Sequence, residues 1–339
     1  MMPDTPISQA GDTFQAQAAC APLTMLAAID VRGPDAPAFL HNLLTNDVEH
    51  LDSAAARPGG FCSPKGRLLA TFLYWRLSAD EPQQSGVRLL LSADLQATQI
   101  KRLSMYVLRS KAKVAAPQPG VRAWGLFGAA RRLRTVLAGQ FDSLPDTVWG
   151  RVDGAIGTLI RLSDVPLDAA QEPVCRYLLV APDDLDLPAP LSTDCRAASA
   201  DEWAWLEVRS GEARISAATA ERFVPQMVNY EAIGGVNFRK GCYPGQEVVA
   251  RSQYRGTVKR RGVLLHIDGP AQVGDELFLE GASEACGEIV LCAPAPGGGS
   301  DCLAELRIAA RDSGAALRLG AAGLAAQRLP LPYALPTLD

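Results

Sequence analysis

The spacing of apolar segments changes near Lys259, and this change constrains the fold most strongly. Beyond it, short strand-like segments follow one another with turns between them, namely GVLLHI, DELFLEG, GEIVLC and CLAELRI. Strands that repeat without intervening helices favour a small, closed antiparallel domain. We therefore predict a C-terminal β-barrel over residues 259–339, with its boundary near Arg261, and a larger unit over residues 23–258.

The larger unit alternates strand-like and helical patterns. Apolar residues predict strands over residues 66–77 and 87–92, and a second round of strands and a helix begins at VRAWGLF. We expect one short helix to end near Asn46 and another to be capped by Asp201. Residues 1–22 are expected to form a loosely ordered lead. A length of 339 residues, 48% of them apolar, fits about two domains.

Charge and hydropathy exclude several classes of protein. With a net charge of −4, the chain has no global positive field to attract nucleic acid or a membrane. The N-terminus lacks the basic and apolar regions of a signal peptide. Apolar stretches are about as long as a strand, well short of the roughly 20 residues of a spanning helix. We therefore expect a cytoplasmic protein with no membrane partner.

Eight cysteines are spread along the chain without a CxxC pair, and only three histidines could complete a metal site. We therefore expect no zinc site. In a reducing compartment, most of these cysteines are expected to be small buried hydrophobic residues.

Cys242 has a different context, within RKGCYPGQEVVARSQYR. Pro244 and Glu247 indicate that a helix starts just after it. A cysteine before a helix start, with Lys240 and Arg239 beside it, is favoured as the thiolate. Cys242 therefore has a physical reason to react or to bind a soft metal. The alternative is a tight glycine turn in which cysteine is chosen only for its size.

Cations concentrate in two segments of an otherwise acidic chain, which predicts local anion sites. In residues 239–261 the single acid Glu247 accompanies seven cations, which are Arg239, Lys240, Arg251, Arg255, Lys259, Arg260 and Arg261. The second segment contains Lys101, Arg102, Arg109, Lys111 and Lys113. Such runs are also typical of a solvated surface. The functional interpretation is contact with a polyanion, such as a phosphate backbone or a polyglutamate tail.

The segment KGCYPGQEVVAR resembles the signature of the YgfZ family, whose members are similar to the folate-dependent aminomethyltransferase of glycine cleavage. Further segments fall in the family's order and span most of the chain. They are TNDV at 45–48, CSPKGRLLA at 62–70, YVLRSKAKV at 106–114, RFVPQMVNYEAIGGVNFRKGCYPGQE at 222–247 and YRGTVKRR at 254–261.

The resemblance implies an α+β fold with three lobes around a central opening that binds tetrahydrofolate or a derivative. Two lobes would be α+β subdomains with antiparallel sheets, and the third the C-terminal β-barrel. The resemblance also implies a role in the assembly or repair of iron–sulfur clusters, and through it in tRNA modification by cluster enzymes. Its implied partners are folate and iron–sulfur client enzymes or assembly proteins.

The resemblance assigns a functional thiol to Cys242, together with a transient iron–sulfur contact. Lys240, Glu247 and Arg251 support this thiol, and no resident metal is implied. The surrounding motif consists of Gly241, Tyr243, Gly245 and Gln246.

The resemblance implies folate contacts at Trp203, Leu26, Gln226 and Asn229. The flat indole of Trp203 suits the face of a pterin, although the same residue also fits an ordinary core position. Leu26 stands where the family has a second tryptophan, which leaves the other wall of the site aliphatic.

The chain departs from the aminomethyltransferases at their paired catalytic aspartates, which correspond to Ala70 and Thr71. Neither side chain ionises at neutral pH, so neither can act as a carboxylate base. We therefore do not expect glycine-cleavage chemistry.

Two other functions stay open. The first is a folate-dependent one-carbon transferase or demethylase, in which a carboxylate such as Asp47 or Glu207 replaces the lost pair. The second is direct tRNA binding through the basic segments, although the sequence lacks the aromatic motif of an RNA recognition domain.

Overall fold

Three sheet systems organise the strands in this computed structural model, which describes residues 14, 16–77, 85–167, 171–185, 187, 189–254, 258–321 and 323–336. Over these residues, five strands form one sheet, six form a second sheet and six close into a barrel. The predicted α+β class with a C-terminal barrel is confirmed.

The elements are numbered in chain order. The strands are β1 (Ala19–Pro22), β2 (Leu26–Arg32), β3 (Ala56–Cys62), β4 (Leu68–Leu77), β5 (Gly86–Ser92), β6 (Lys113–Ala115), β7 (Val121–Gly128), β8 (Arg151–Gly154), β9 (Gly157–Arg161), β10 (Cys175–Pro182), β11 (Arg196–Ala197), β12 (Arg260–Ile267), β13 (Glu276–Leu279), β14 (Ala285–Pro294), β15 (Ser300–Arg307), β16 (Leu317–Leu319) and β17 (Ala325–Leu329). The α-helices are α1 (Ala36–His41), α2 (Gln96–Val107), α3 (Ala130–Leu137), α4 (Ala189–Thr193), α5 (Ala200–Arg209), α6 (Gln246–Tyr254) and α7 (Ile308–Asp312). None of the helices in the described ranges has both the length and the apolar character needed to cross a bilayer.

The five-stranded sheet is antiparallel throughout, in the order β3-β4-β5-β2-β6. The strands predicted over residues 66–77 and 87–92 are confirmed as the paired strands β4 and β5. Helix α1 ends at His41, so the predicted end near Asn46 is wrong. Asn42 caps this end, and after it the Asn46 amide donates hydrogen bonds to the carbonyls of Pro58 and Gly234.

The six-stranded sheet has the order β11-β1-β7-β10-β9-β8, in which β1 and β11 are parallel. The prediction of a loose lead is wrong for Ala19–Pro22, which forms strand β1 inside this sheet. Three of its four residues are buried, with Ala19 and Ala21 in one hydrophobic cluster and Cys20 in another. Strands β7 and β11 pair with its two edges. Residues 1–13 and 15 of the lead lie outside the described residues.

Helix α5 packs between the six-stranded sheet and the barrel. Its cap is Ser199, whose hydroxyl accepts from the backbone N–H of Glu202 at 3.2 Å, while the Glu202 carboxylate accepts from Ser199 N at 3.0 Å. The predicted cap, Asp201, is wrong because it lies within the first turn. Trp205 Nε1 donates to Asp301 of the barrel at 2.8 Å.

The barrel closes in the order β12-β15-β14-β13-β16-β17. Its first strand begins at Arg260, next to the predicted boundary. Asn229 Nδ2 donates to Gly262 O at 2.9 Å, and Gly262 N donates to Asn229 Oδ1 at 3.0 Å. The side chains of Arg261 and Glu231 form a buried ion pair. These contacts fasten the barrel to the larger unit.

Candidate functional site

A cavity of about 100 Å³ opens between the two sheets and helix α5. Its walls come from β2, β3, β4, β5, β10 and α5, from residues that follow α5, and from Trp149 and Leu162. Six of its lining residues bear on function, and these are Leu26, Thr71, Arg176, Trp203, Glu207 and Glu212. Among the described residues, none from the barrel lines this cavity.

Trp203 forms one wall of the cavity and is only 2% exposed. A Cβ atom on Gly125 would lie 2.2 Å from Trp203 Cε3, so the indole packs directly on the backbone of β7. The guanidinium of Arg176 lies 5.6 Å from the ring centroid, within the range of a cation–π contact. Trp203 is therefore a core residue and a cavity wall at the same time.

Two ion pairs add charge to this largely apolar cavity. Arg214 donates to both carboxylate oxygens of Glu207, at 2.8 and 2.9 Å. Arg176 donates to Glu212 Oε2 at 3.2 Å. Glu212 Oε1 is buried and has no hydrogen-bond partner in the described part of the chain. Buried acceptors are normally satisfied, so this oxygen is a natural contact for an N–H donor on a ligand.

Leu26 and Thr71 both line the cavity, and Ala70 is fully buried without lining it. The Thr71 hydroxyl accepts a hydrogen bond from Ile215 N at 2.9 Å. Among the described residues, the acids of the cavity wall are Glu207 of α5 and Glu212 just after it, and strand β4 contributes no acid.

Gln226 and Asn229 lie away from this wall. Gln226 Nε2 donates to Val249 O at 2.9 Å, which fastens helix α6 to the core. Asn229 is bonded to Gly262 of the barrel. Both amides therefore have a structural use, and their contact with folate stays a prediction.

The motif TNDV holds residues 234–237, just before the signature segment. Thr45 Oγ1 donates to Gly235 O at 2.6 Å, and Asn46 Nδ2 donates to Gly234 O at 2.6 Å. Asn237 N donates to Thr45 O at 2.9 Å. Thr45 and Gly235 are 190 residues apart, so the fold assembles two distant motifs into one unit.

The motif CSPKG contacts the signature segment itself, at Gly245. Gly66 and Gly245 have φ angles of 71° and 80°. A Cβ atom on Gly245 would lie 2.4 Å from Ser63 O and 2.6 Å from Gly66 Cα. The two turns therefore touch backbone to backbone, which requires glycine. Cys242 lies between the two anchored ends.

Gly245→Ala is expected to destabilise the protein more than Gly234→Ala does. Both glycines have φ of 80°, so each variant incurs the left-handed penalty of about 1–2 kcal/mol. A methyl group on Gly245 also collides with Ser63, whereas nothing lies within 4 Å of one on Gly234. Denaturant unfolding measures the difference, and equal losses would contradict a tight contact between the turns.

Lys240 belongs to the signature segment and also stabilises helix α1. Its Nζ donates to the carbonyls of His41 and Leu44, the latter at 2.9 Å, and so satisfies the end of helix α1. Burial lowers the pKa of Lys240 to about 8, against the opposing charges of Asp47 and Cys242. The pKa of Lys240 therefore lies nearer neutral pH than that of an ordinary lysine.

Cys242 is the exposed cysteine of this chain. All eight cysteines are described, and of the other seven, six are buried and Cys292 is half-buried. Burial raises the pKa of the Cys20 and Cys62 thiols to about 12, which keeps them protonated and unreactive. A reagent or partner in solution therefore meets the Cys242 thiol first.

Helix α6 begins at Gln246, four residues after Cys242. This separation is longer than the sequence suggested, and the field of a helix end falls off within about one turn. Lys240 is the cation next to the thiol. Tyr243 is buried, with its ring centroid 5.0 Å from Lys240 Nζ, and Gly241 is exposed.

The sequence did not identify His41 as a residue of the candidate site. A Cβ atom on Gly241 would lie 3.6 Å from His41 Nε2, so the imidazole borders the Cys242 turn. His41 Nδ1 lies 3.1 Å from Asp47 Oδ1, and His50 N donates to the same oxygen at 3.0 Å. Despite the opposing effect of burial, these contacts hold the pKa of Asp47 below its usual range. The signal in the sequence was a histidine just before TNDV.

The basic segments lie outside the cavity wall. Glu247 and Arg251 are exposed on α6, and Arg255 lies outside the described residues. The five cations of residues 101–113 are also absent from the residues described as lining the cavity.

No family model matches the sequence. In structure, the chain resembles the glycine cleavage system aminomethyltransferase T from Bartonella henselae, with a TM-score of 0.72 and 16% identity. The match covers 98% of this chain and 91% of that one. The chain therefore has the fold of the glycine-cleavage aminomethyltransferases.

Similarity in sequence identifies the family of the chain, whereas the structural match gives only its fold. The chain is 33% identical over 248 residues to the tRNA-modifying protein YgfZ of Edwardsiella ictaluri, covering 72% of this chain and 69% of the relative. It is 30% identical over 258 residues to the protein of the same name from Serratia proteamaculans, covering 74% and 72%. The chain belongs to the YgfZ family.

Proposed function

We propose that this protein is a tetrahydrofolate-binding accessory factor for the assembly or repair of iron–sulfur clusters in enzymes that modify tRNA. The observation that carries the proposal is Cys242, an exposed thiol on a turn held in place by two other motifs. The name of the relatives, tRNA-modifying protein, supports the tRNA side. Such a role belongs in the cytoplasm, where tRNA is modified.

The cavity supports the binding of one end of a folate. Trp203 offers a flat apolar wall, and Glu212 Oε1 offers an unpartnered acceptor for the N–H groups of a pterin. At about 100 Å³ the cavity is smaller than the roughly 300–1,000 Å³ of ordinary ligand pockets. The rest of the molecule would therefore extend through the mouth. When bound, a reduced folate supplies one-carbon chemistry, and these residues orient its ring.

Trp203→Phe is expected to weaken tetrahydrofolate binding by about tenfold, because the smaller ring loses part of its stacking area. Trp205→Phe is the matched control, since Trp205 lies on the same helix but donates to Asp301 of the barrel. Calorimetric titration with tetrahydrofolate gives both affinities, and thermal unfolding checks that both variants fold. Equal affinity for the variant and the unaltered protein would exclude Trp203 as the pterin wall.

A resident iron–sulfur cluster does not fit this chain. Such clusters are ordinarily held by four cysteine thiolates, and Cys242 supplies one. No group of three His, Cys, Asp or Glu side chains in the described residues could hold a metal ion. We therefore assign the cluster to the client enzyme, with Cys242 in transient contact.

The test is restoration of tRNA methylthiolation, an iron–sulfur-dependent modification, in bacterial cells that lack their own family member. Mass spectrometry of tRNA nucleosides measures the modified fraction. Restoration is the expected result. A modified fraction that stays at the level of the deficient cells would contradict the accessory role.

The second candidate is a folate-dependent one-carbon transferase or demethylase. The cavity wall favours it by placing Glu207 and Glu212 beside the proposed folate position. Asp47, by contrast, lies in the loop with His41 and does not line the cavity. Turnover of a methylamine or aminomethyl donor with tetrahydrofolate would establish this activity, and no turnover across a broad panel of donors would exclude it.

A further inference from the structure

Residues 101–113 expose cations and large apolar side chains together. The segment contains no acid, and its five cations are Lys101, Arg102, Arg109, Lys111 and Lys113. Among the described residues, none of the five forms an ion pair with a carboxylate. Asp35 is an acid beside the segment, and it accepts a hydrogen bond from Lys111 N at 2.7 Å. This surface therefore has an excess of unpaired positive charge on a chain with a net charge of −4.

The apolar residues of the segment gain little from the protein's own packing. Met105 is 63% exposed, Tyr106 is 41% exposed and Leu108 is 88% exposed. Leu108 also has a φ angle of 42°, and a positive φ is unfavourable for a residue with a Cβ atom. Strained, exposed leucine next to exposed methionine and tyrosine is typical of a surface that is covered by a partner.

A series of contacts connects this surface to Lys240, two residues before Cys242. The Tyr106 ring packs edge-on against Phe61, with 6.1 Å between centroids. The backbones of Phe61 and Leu44 pair as an isolated antiparallel β-bridge. The carbonyl of Leu44 accepts a hydrogen bond from Lys240. A molecule bound at residues 101–113 is thus linked to Lys240 through Phe61 and Leu44.

We propose that residues 101–113 bind single-stranded RNA. Proteins that hold single strands combine a basic surface for the phosphates with exposed rings on which bases stack. Duplex RNA would use the cations but leave Tyr106 and its apolar neighbours without a role. This inference rests on the proposed function, under which the single-stranded RNA is an unpaired loop of a tRNA.

The test uses the full-length protein and a fluorescently labelled 12-nucleotide oligouridine, with binding followed by anisotropy between 50 and 200 mM salt. Contact with about four phosphates predicts a slope of about −3 in the log–log plot. Arg109→Gln combined with Lys111→Gln is expected to weaken binding about tenfold and to make the slope shallower by about 1.4. Tyr106→Leu, which keeps an apolar contact with Phe61, is expected to weaken binding at least about fivefold.

The matched control is Arg131→Gln combined with Arg132→Gln, which removes two exposed cations from helix α3 in the other lobe. An equal loss in this control would overturn the proposal. Equal binding of a 12-base-pair RNA duplex, or equal competition by polyglutamate, would also overturn it and assign the surface to a duplex or an acidic protein. A protein that restores tRNA modification but does not bind oligouridine keeps its proposed function and loses this site.

Discussion

Cys242→Ala is expected to reduce tRNA methylthiolation to the level of cells that have no family member. The substitution removes the exposed thiol and leaves both anchors of its turn intact, because these are made by Thr45, Asn46 and the glycines. The side chain is exposed, so stability should change by no more than about 0.5 kcal/mol. The measurement is the methylthiolated fraction of tRNA nucleosides, with the protein level determined in the same cells.

Two further variants make this result specific to the thiol of Cys242. Cys292→Ala changes a half-buried barrel cysteine and is expected to restore modification as fully as the unaltered protein. Cys242→Ser keeps a side chain of similar size in the turn but removes the thiol. Full restoration by both Cys242 variants would mean that the residue only fills its turn, and the proposed function would lose the observation that carries it.

Local sequence patterns predicted elements well where the decisive interactions are local. The apolar run of β4 is an example, since five consecutive buried residues begin a ten-residue strand. The cap of α5 shows the limit of this reasoning. Asp201 and Ser199 are both good capping residues, and the choice depends on the reciprocal bond with Glu202. Strand β1 was missed because its four residues are a strand only when β7 and β11 flank them.

The candidate site was predictable mainly through the family resemblance. Trp203 and Leu26 line the cavity, a position that their local sequence pattern does not reveal. Glu212 was missed because Arg176 of strand β10 bonds only its Oε2, which leaves Oε1 without a partner in the described part of the chain. His41 was missed for the same reason, since only the folded chain brings it to Gly241. Contacts between residues far apart in sequence leave no local pattern.

Arg261→Met is expected to lower the free energy of unfolding by about 3–5 kcal/mol, because it leaves a buried carboxylate without its partner. The side chains of Arg261 and Glu231 are 3% and 2% exposed, and this ion pair joins the barrel to the larger unit. Arg261 Nη1 also donates to Gln226 O at 3.1 Å. Denaturant unfolding of the full chain measures the loss.

Arg318→Met is the control within the barrel, since Arg318 pairs with Glu280 at the surface, where an ion pair contributes about 0–1 kcal/mol. The double variant Arg261→Met, Glu231→Leu removes both buried charges and is expected to recover most of the stability lost in Arg261→Met. Recovery would show that the cost comes from the unpaired Glu231 carboxylate. A double variant as unstable as Arg261→Met would instead place the cost in the lost bond to Gln226 and in packing between barrel and core.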